Sequence, residues 1–209
     1  MIKEFFNKTK NLVLNFFFPQ KCLGCGKENV VFCPDCLARI DYPTLLNKNN
    51  ILAATDYNDI LAQKAIWLLK YRGLKQIAEP LPELIKQRTL EKIKIKNPVF
   101  IPIPLSPKRL KERGFNQSEL IAKCLSDNVI TNVLYKTRET DSQVSLKDRE
   151  KRLNNLKDSF GVKNPKLVAN KNIILIDDVS TTGATITEAK KVLRDAGAKN
   201  IVALVVARG

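Results

Sequence analysis

The sequence predicts an α/β protein with a mainly parallel sheet, led by a small cysteine-bearing module. Three observations carry that expectation. Short β-branched and leucine runs alternate with stretches of helical periodicity through most of the chain. From Lys171 onward the pattern is strand, loop, helix, strand, a connection that makes its two strands parallel. Near the other end, two C-x-x-C pairs mark a segment too small for a core of its own.

With 209 residues, 44% of them hydrophobic and 27% charged, the chain has material for one main domain and a small appendage. Residues 1–18 are expected to form an amphipathic helix, with Ile2, Phe5, Phe6, Val13, Phe16 and Phe17 on one face and Pro19 as its stop. Its apolar run is broken by Asn7, Lys8, Lys10, Asn11 and Asn15 and precedes no small-residue cleavage site, so it does not read as a secretory signal. Packing on the body is the first reading; lying on a membrane surface is the second, since aromatics and lysines suit an interface. No stretch has the run of about eighteen apolar residues that a membrane span requires. The expected location is cytoplasmic, with membrane association as the secondary possibility.

Residues 19–50 form the expected module. Cys22, Cys25, Cys33 and Cys36 can place four thiolates at the corners of a tetrahedron around Zn²⁺. Gly24 and Gly26 suit the turn of the first knuckle and Pro34 stiffens the second. Disulfides do not suit a chain without signs of secretion, and a redox pair would open a thioredoxin-like helix, a pattern not seen here. Four cysteine ligands leave no open coordination position, so the metal would be structural. Cys124, the fifth cysteine, falls on the apolar face of a predicted helix and reads as a core residue.

Residues 51–209 form the expected main domain, with Asn47 to Asn50 as the loop before it. Its elements begin with a strand near Ile51 to Thr55 and helices over Asp59 to Tyr71 and Leu81 to Glu91. A strand at Val99 to Ile103, a helix from Asn116 and a strand near Val133 follow, then an amphipathic helix over Ser145 to Leu156. The closing unit has strands at Ile173 to Ile176 and Ile201 to Ala207. Between them Ile186, Ala189, Leu193 and Ala196 recur at helical spacing and Gly197 stops the helix.

The loop of that unit carries the chemistry. Asp177 and Asp178 leave the strand's carboxyl end, and Ser180, Thr181, Thr182, Gly183, Ala184 and Thr185 lead into the helix. Hydroxyls, a glycine and a helix N-terminus suit a phosphate monoester. Paired carboxylates suit ribose hydroxyls, which donate hydrogen bonds, or hydrated Mg²⁺. Capping alone accounts for one or two of these residues, not for the whole run. The segment lacks both the G-x-x-x-x-G-K and the G-x-G-x-x-G patterns.

The net charge of +15 would attract polyanions. Lys108, Arg109, Lys111 and Arg113 crowd one predicted loop, and Lys147, Arg149, Lys151 and Arg152 crowd another segment; the first could receive a pyrophosphate or track a nucleic-acid backbone, and Asn116 then caps the next helix.

The run IILIDDVSTTGAT resembles the phosphoribosyl pyrophosphate signature of type I phosphoribosyltransferases. Together with the two knuckles and IPIPLSPKRLKERGFNQSELIA, it makes the chain from about Phe16 resemble the ComF family, in particular its ComFC- and GntX-like members linked to DNA uptake and natural transformation. The resemblance implies a type I phosphoribosyltransferase fold and phosphoribosyl pyrophosphate bound with Mg²⁺ by Asp177 to Thr185, with Asp177 and Asp178 as the catalytic acids. Pro104 to Asn116 would receive the pyrophosphate. Lys70 to Gly73 and a flap including Gln143, Leu146, Arg149, Arg152, Asn155 and Phe160 belong to the same resemblance. Single-stranded DNA and other competence proteins are the implied partners. Two functions fit: a transferase acting on an unidentified acceptor, and a non-catalytic ligand sensor that holds DNA.

Overall fold

The computed structural model describes residues 21–42, 47–48, 50–71, 80–138 and 158–209. The expected N-terminal helix, the flap helix, and Arg72 and Gly73 lie outside them. Two compact units, Met1–Ile40 and Asp41–Gly209, divide the chain between residues 40 and 41 rather than at the residue-50 boundary expected.

In the first unit, Lys21 bridges to Glu28, closing a turn that contains the first C-x-x-C pair. Gly26 takes φ +78, the left-handed conformation that the turn needs. The second pair opens a short helix, α1 (Pro34–Ala38), with Cys33 as N-cap and Pro34 in the first turn, where its missing N–H costs no hydrogen bond.

The second unit is built on a five-stranded sheet of order β1-β2-β7-β6-β3. Its strands are β1 (Asn47–Lys48), β2 (Ile51–Asp56), β3 (Val99–Pro102), β6 (Asn172–Ser180) and β7 (Asn200–Arg208). The pairs β2–β7, β7–β6 and β6–β3 are parallel, with Ile173 opposite both Val99 and Ile201. The one antiparallel neighbour, β1, occupies residues expected as a loop. Asn50 at φ 56 makes the tight return between β1 and β2. A separate ribbon pairs β4 (Leu134–Lys136) with β5 (Phe160–Val162).

Side-chain alternation along the strands divides the core between two faces. Ile51, Ala53, Ile101, Ile173, Leu175, Ala203 and Val205 pack with Ile186, Ala189 and Leu193 of α6 (Ala184–Asp195). Phe160 joins this cluster, so it serves the core rather than a flap. Helices α2 (Ile60–Tyr71), α3 (Pro80–Arg88) and α5 (Gln117–Leu125) bury a different set, including Ile66, Leu69, Leu84, Ile85 and Ile121. Helices on both faces explain why the inner strands are apolar runs without polar alternation.

Three local expectations are corrected. The basic segment is helical: α4 (Pro107–Arg113) is capped by Ser106 and ended by Gly114 at φ 74. Cys124 is exposed, because α5 buries Ile121 and Ala122 and turns Cys124 outward. The acids lie inside β6, which continues to Ser180 through pairing with β7 up to Arg208. No helix among the described residues is long and apolar enough to cross a membrane.

Candidate functional site

Strand β6 lies inside the sheet between β7 and β3 and delivers Asp177 and Asp178 toward its carboxyl end, the usual ligand edge of a parallel sheet. Both are buried, at 8% and 4% exposure. Each acid has its own partner. Ser118 of α5 donates its hydroxyl to Asp177 Oδ1 at 3.0 Å, and the Asp178 N–H donates to the same oxygen at 2.9 Å. Lys70 of α2 places Nζ 2.9 Å from Asp178 Oδ1.

Burial and then the neighbouring Asp178 charge push the Asp177 carboxyl up to about 7, against the opposing pull of Lys70 and the two hydrogen bonds. Lys70 loses charge stability to burial but gains more from Asp178, so its ammonium is held above the ordinary lysine range. The result is a buried acid pair with the Lys70 ammonium paired to Asp178. Asp178 Oδ2 and Ser180 Oγ are buried and have no hydrogen-bond partner among the described residues. Such orphaned oxygens are costly unless something else meets them.

The loop beyond β6 turns through Gly183 at φ +79, the N-cap of α6, which accepts no side-chain capping bond. A β-carbon there would sit 3.0 Å from Ile51 Cδ1, a tight contact that side chain would have to relieve, and the positive φ is what favours glycine. Thr182 Oγ1 accepts the Ala184 N–H at 3.3 Å. The acids take no part in capping this helix. Ser180 closes β6, Thr181, Thr182 and Gly183 make the turn, and Ala184 and Thr185 open α6, so the six residues run without a break from the acid pair into the helix.

The four basic residues separate around α4. Lys108 and Lys111 are exposed, whereas Arg109 and Arg113 are partly buried. Arg113 turns toward the acid pair: it donates to Gln117 Oε1 at 3.0 Å and lies 5.4 Å from the Tyr71 ring centroid. Gln117 precedes Ser118, and Tyr71 follows Lys70. The contacts thus close a circuit from Asp177 through α5, α4 and α2 back to Asp178. Asn116 caps α5 as expected, accepting the Ser118 N–H at 3.0 Å, which fixes the turn that presents Ser118.

Ser118 and the pairing of Lys70 with Asp178 escaped sequence reasoning. A signal for Lys70 existed: it follows Ile66 by one helical turn and so borders the buried face of α2. Ser118 carries none beyond its place after a cap.

In the first unit, the sulfurs of Cys22, Cys25, Cys33 and Cys36 lie within 4.8 Å of one another. Zn–S bonds of about 2.3 Å at tetrahedral angles put sulfurs about 3.8 Å apart, and Cys25 and Cys33 Sγ are separated by 3.7 Å. The Cys33 N–H donates to Cys22 Sγ at 3.3 Å. Burial disfavours the Cys22 thiolate, but N–H groups of Cys25, Cys33 and Gly24 outweigh it and bring the thiol to about 6. The donor set, spacing and backbone N–H groups fit a tetrahedral thiolate-loving metal.

Residues 73–209 match the model of the phosphoribosyl transferase domain family. The chain is 34% identical over 181 residues to competence protein ComFC of Bacillus subtilis, covering 84% of this chain and 72% of that protein. It is 42% identical over 111 residues to competence protein ComFC of Streptococcus pneumoniae, covering 52% of this chain and 47% of that one. DNA utilization protein YhgH of Salmonella typhi is 27% identical over 197 residues, covering 86% of this chain and 85% of its own length. The parallel sheet with acids at its carboxyl edge and the domain match agree: the chain belongs to the phosphoribosyl transferase domain family and is related at family level to the ComFC and YhgH proteins.

Proposed function

We propose that the α/β unit binds phosphoribosyl pyrophosphate with Mg²⁺ in a type I phosphoribosyltransferase fold, and that the chain acts on or with single-stranded DNA during natural transformation. The observation that carries the ligand reading is the buried acid pair with an orphaned carboxylate oxygen, followed directly by the Ser180 to Thr185 segment that turns from β6 into α6. Ribose hydroxyls would donate to Asp177 and Asp178, and the 5-phosphate would accept from the turn and the α6 N-terminus. Arg113, with Lys108, Arg109 and Lys111, would meet the pyrophosphate. Mg²⁺ supplies charge neutralisation on the pyrophosphate when bound.

The enzymatic form of this reading is transfer at ribose C1. The bond from C1 to pyrophosphate oxygen breaks as a bond to an acceptor atom forms, and pyrophosphate leaves with the electron pair. The acceptor gives up a proton to solvent or a base. No protein nucleophile is required, so a chain with no histidine can support it. The alternative is a non-catalytic sensor that holds the same ligand. DNA is brought in by the names of the relatives and by the excess of basic residues.

Zn²⁺ is the metal we assign to the four cysteines, in a structural role. A cytoplasmic location, with membrane contact through residues 1–18 as an added possibility, completes the reading.

Pyrophosphate release measured across a panel of bases, with and without single-stranded DNA, separates the two forms. Turnover in any condition establishes the transferase. Stoichiometric binding without release in every condition sinks it and leaves the sensor.

A further inference from the structure

Helix α2 displays an aromatic pair where a soluble helix ordinarily displays polar side chains. Trp67 and Tyr71 are 48% and 59% exposed. Their ring centroids are 6.0 Å apart with planes inclined at 44°. Four residues apart, they lie on the side opposite the buried Ala62, Ala65, Ile66 and Leu69. Core packing therefore does not account for them.

The surroundings are cationic. Arg113 lies over the Tyr71 ring, and Lys108 and Lys111 are exposed on the same helix as Arg113. Lys64 is exposed one turn before Trp67, and α2 contains no Asp or Glu. A free base would need an enclosing pocket, whereas two solvent-exposed rings in a row beside basic side chains suit a polymer of stacked bases and phosphates. Tyr71 also follows Lys70, the partner of Asp178, in the chain.

We propose that Trp67 and Tyr71 form a stacking platform for adjacent bases of single-stranded DNA, whose phosphates meet Arg113, Lys108 and Lys111. This rests on the DNA-handling reading above and goes beyond it by naming the rings that hold the bases. Stacking supplies affinity that salt does not screen, and the basic residues supply the part that salt does.

The test uses the full chain and a labelled oligodeoxythymidylate, followed by fluorescence anisotropy over a series of salt concentrations. Three proteins are compared: wild type, Trp67→Leu with Tyr71→Leu, and Trp67→Phe with Tyr71→Phe. Leucine keeps helix propensity and an apolar side chain but cannot stack. Trp67 is the chain's one tryptophan, so its emission reports the contact directly. Expected are quenching of Trp67 on titration with unlabelled oligonucleotide and a loss of about tenfold or more per ring in the leucine variant. The salt slope should stay unchanged, and the phenylalanine variant should recover most of the affinity. Binding by wild type without quenching, or equal affinity in the leucine variant, would overturn the platform while leaving DNA handling intact. Equal losses in the leucine and phenylalanine variants would contradict stacking. No binding by wild type would overturn both the platform and the DNA reading.

Discussion

At the scale of single residues, the site is set by how two neighbouring carboxylates are neutralised. Asp177 is held near 7 by burial and by Asp178, with Lys70 pulling the other way. Ribose hydroxyls donate to a carboxylate, so ligand affinity should rise with pH through about 7 as Asp177 ionises. Lys70→Met removes the nearest positive charge and should move that midpoint upward, which a pH series of ligand titrations measures; an unmoved midpoint would separate Lys70 from the acids' electrostatics. The identity of these acids was legible in the sequence because strand, acids, hydroxyls and glycine are contiguous. Their partners were not. Ser118 and Lys70 reach the pair across chain separations that periodicity cannot register, and only the parallel order of the sheet brings α5 and α2 to the end of β6.

At the scale of elements, α6 links the ligand turn to the far edge of the sheet. Its Lys190 is buried and donates Nζ to the Asn50 carbonyl at 2.8 Å, in the return between β1 and β2. Burial, and then Arg194, bring that ammonium down to about 8 from 10.5. A lysine depressed in the folded state contributes stability above its unfolded value and loses it as pH falls through about 8. Lys190→Met should therefore stabilise the protein at pH 7 by about 1–3 kcal/mol and flatten the rise in stability between pH 8 and 10. The Asn50 carbonyl keeps the Ala203 N–H at 3.0 Å, so the variant leaves no orphan there. Thermal unfolding as a function of pH checks both parts. Elements with long uniform patterns, such as β6, β7, α2 and α6, were readable because burial on both faces or along one stripe repeats over many residues. Those that escaped were short: β1 has two residues and α4 has seven. The basic residues of α4 masked its helical pattern, and its Ser106 cap and Gly114 stop were the legible signs.

At the scale of the whole molecule, two units depend on different chemistry. The first brings four cysteine sulfurs within 4.8 Å of one another, and the second has an apolar sheet core. Zinc analysis should give one ion per chain, lost in Cys25→Ser with Cys36→Ser. Chelation should open Lys21, Lys27 and Arg39 to trypsin while thermal unfolding of the α/β unit persists; unchanged cleavage would remove the metal from the account. Ligand binding by the second unit is read out by calorimetric titration with phosphoribosyl pyrophosphate and Mg²⁺, wild type beside Asp177→Asn. Asparagine keeps an acceptor for Ser118 and relieves the like charge, so the variant stays folded. Wild type should bind in the micromolar range, and affinity should fall by about 100-fold or more in Asp177→Asn. Equal affinity in the two proteins, or no binding by folded wild type, would contradict it.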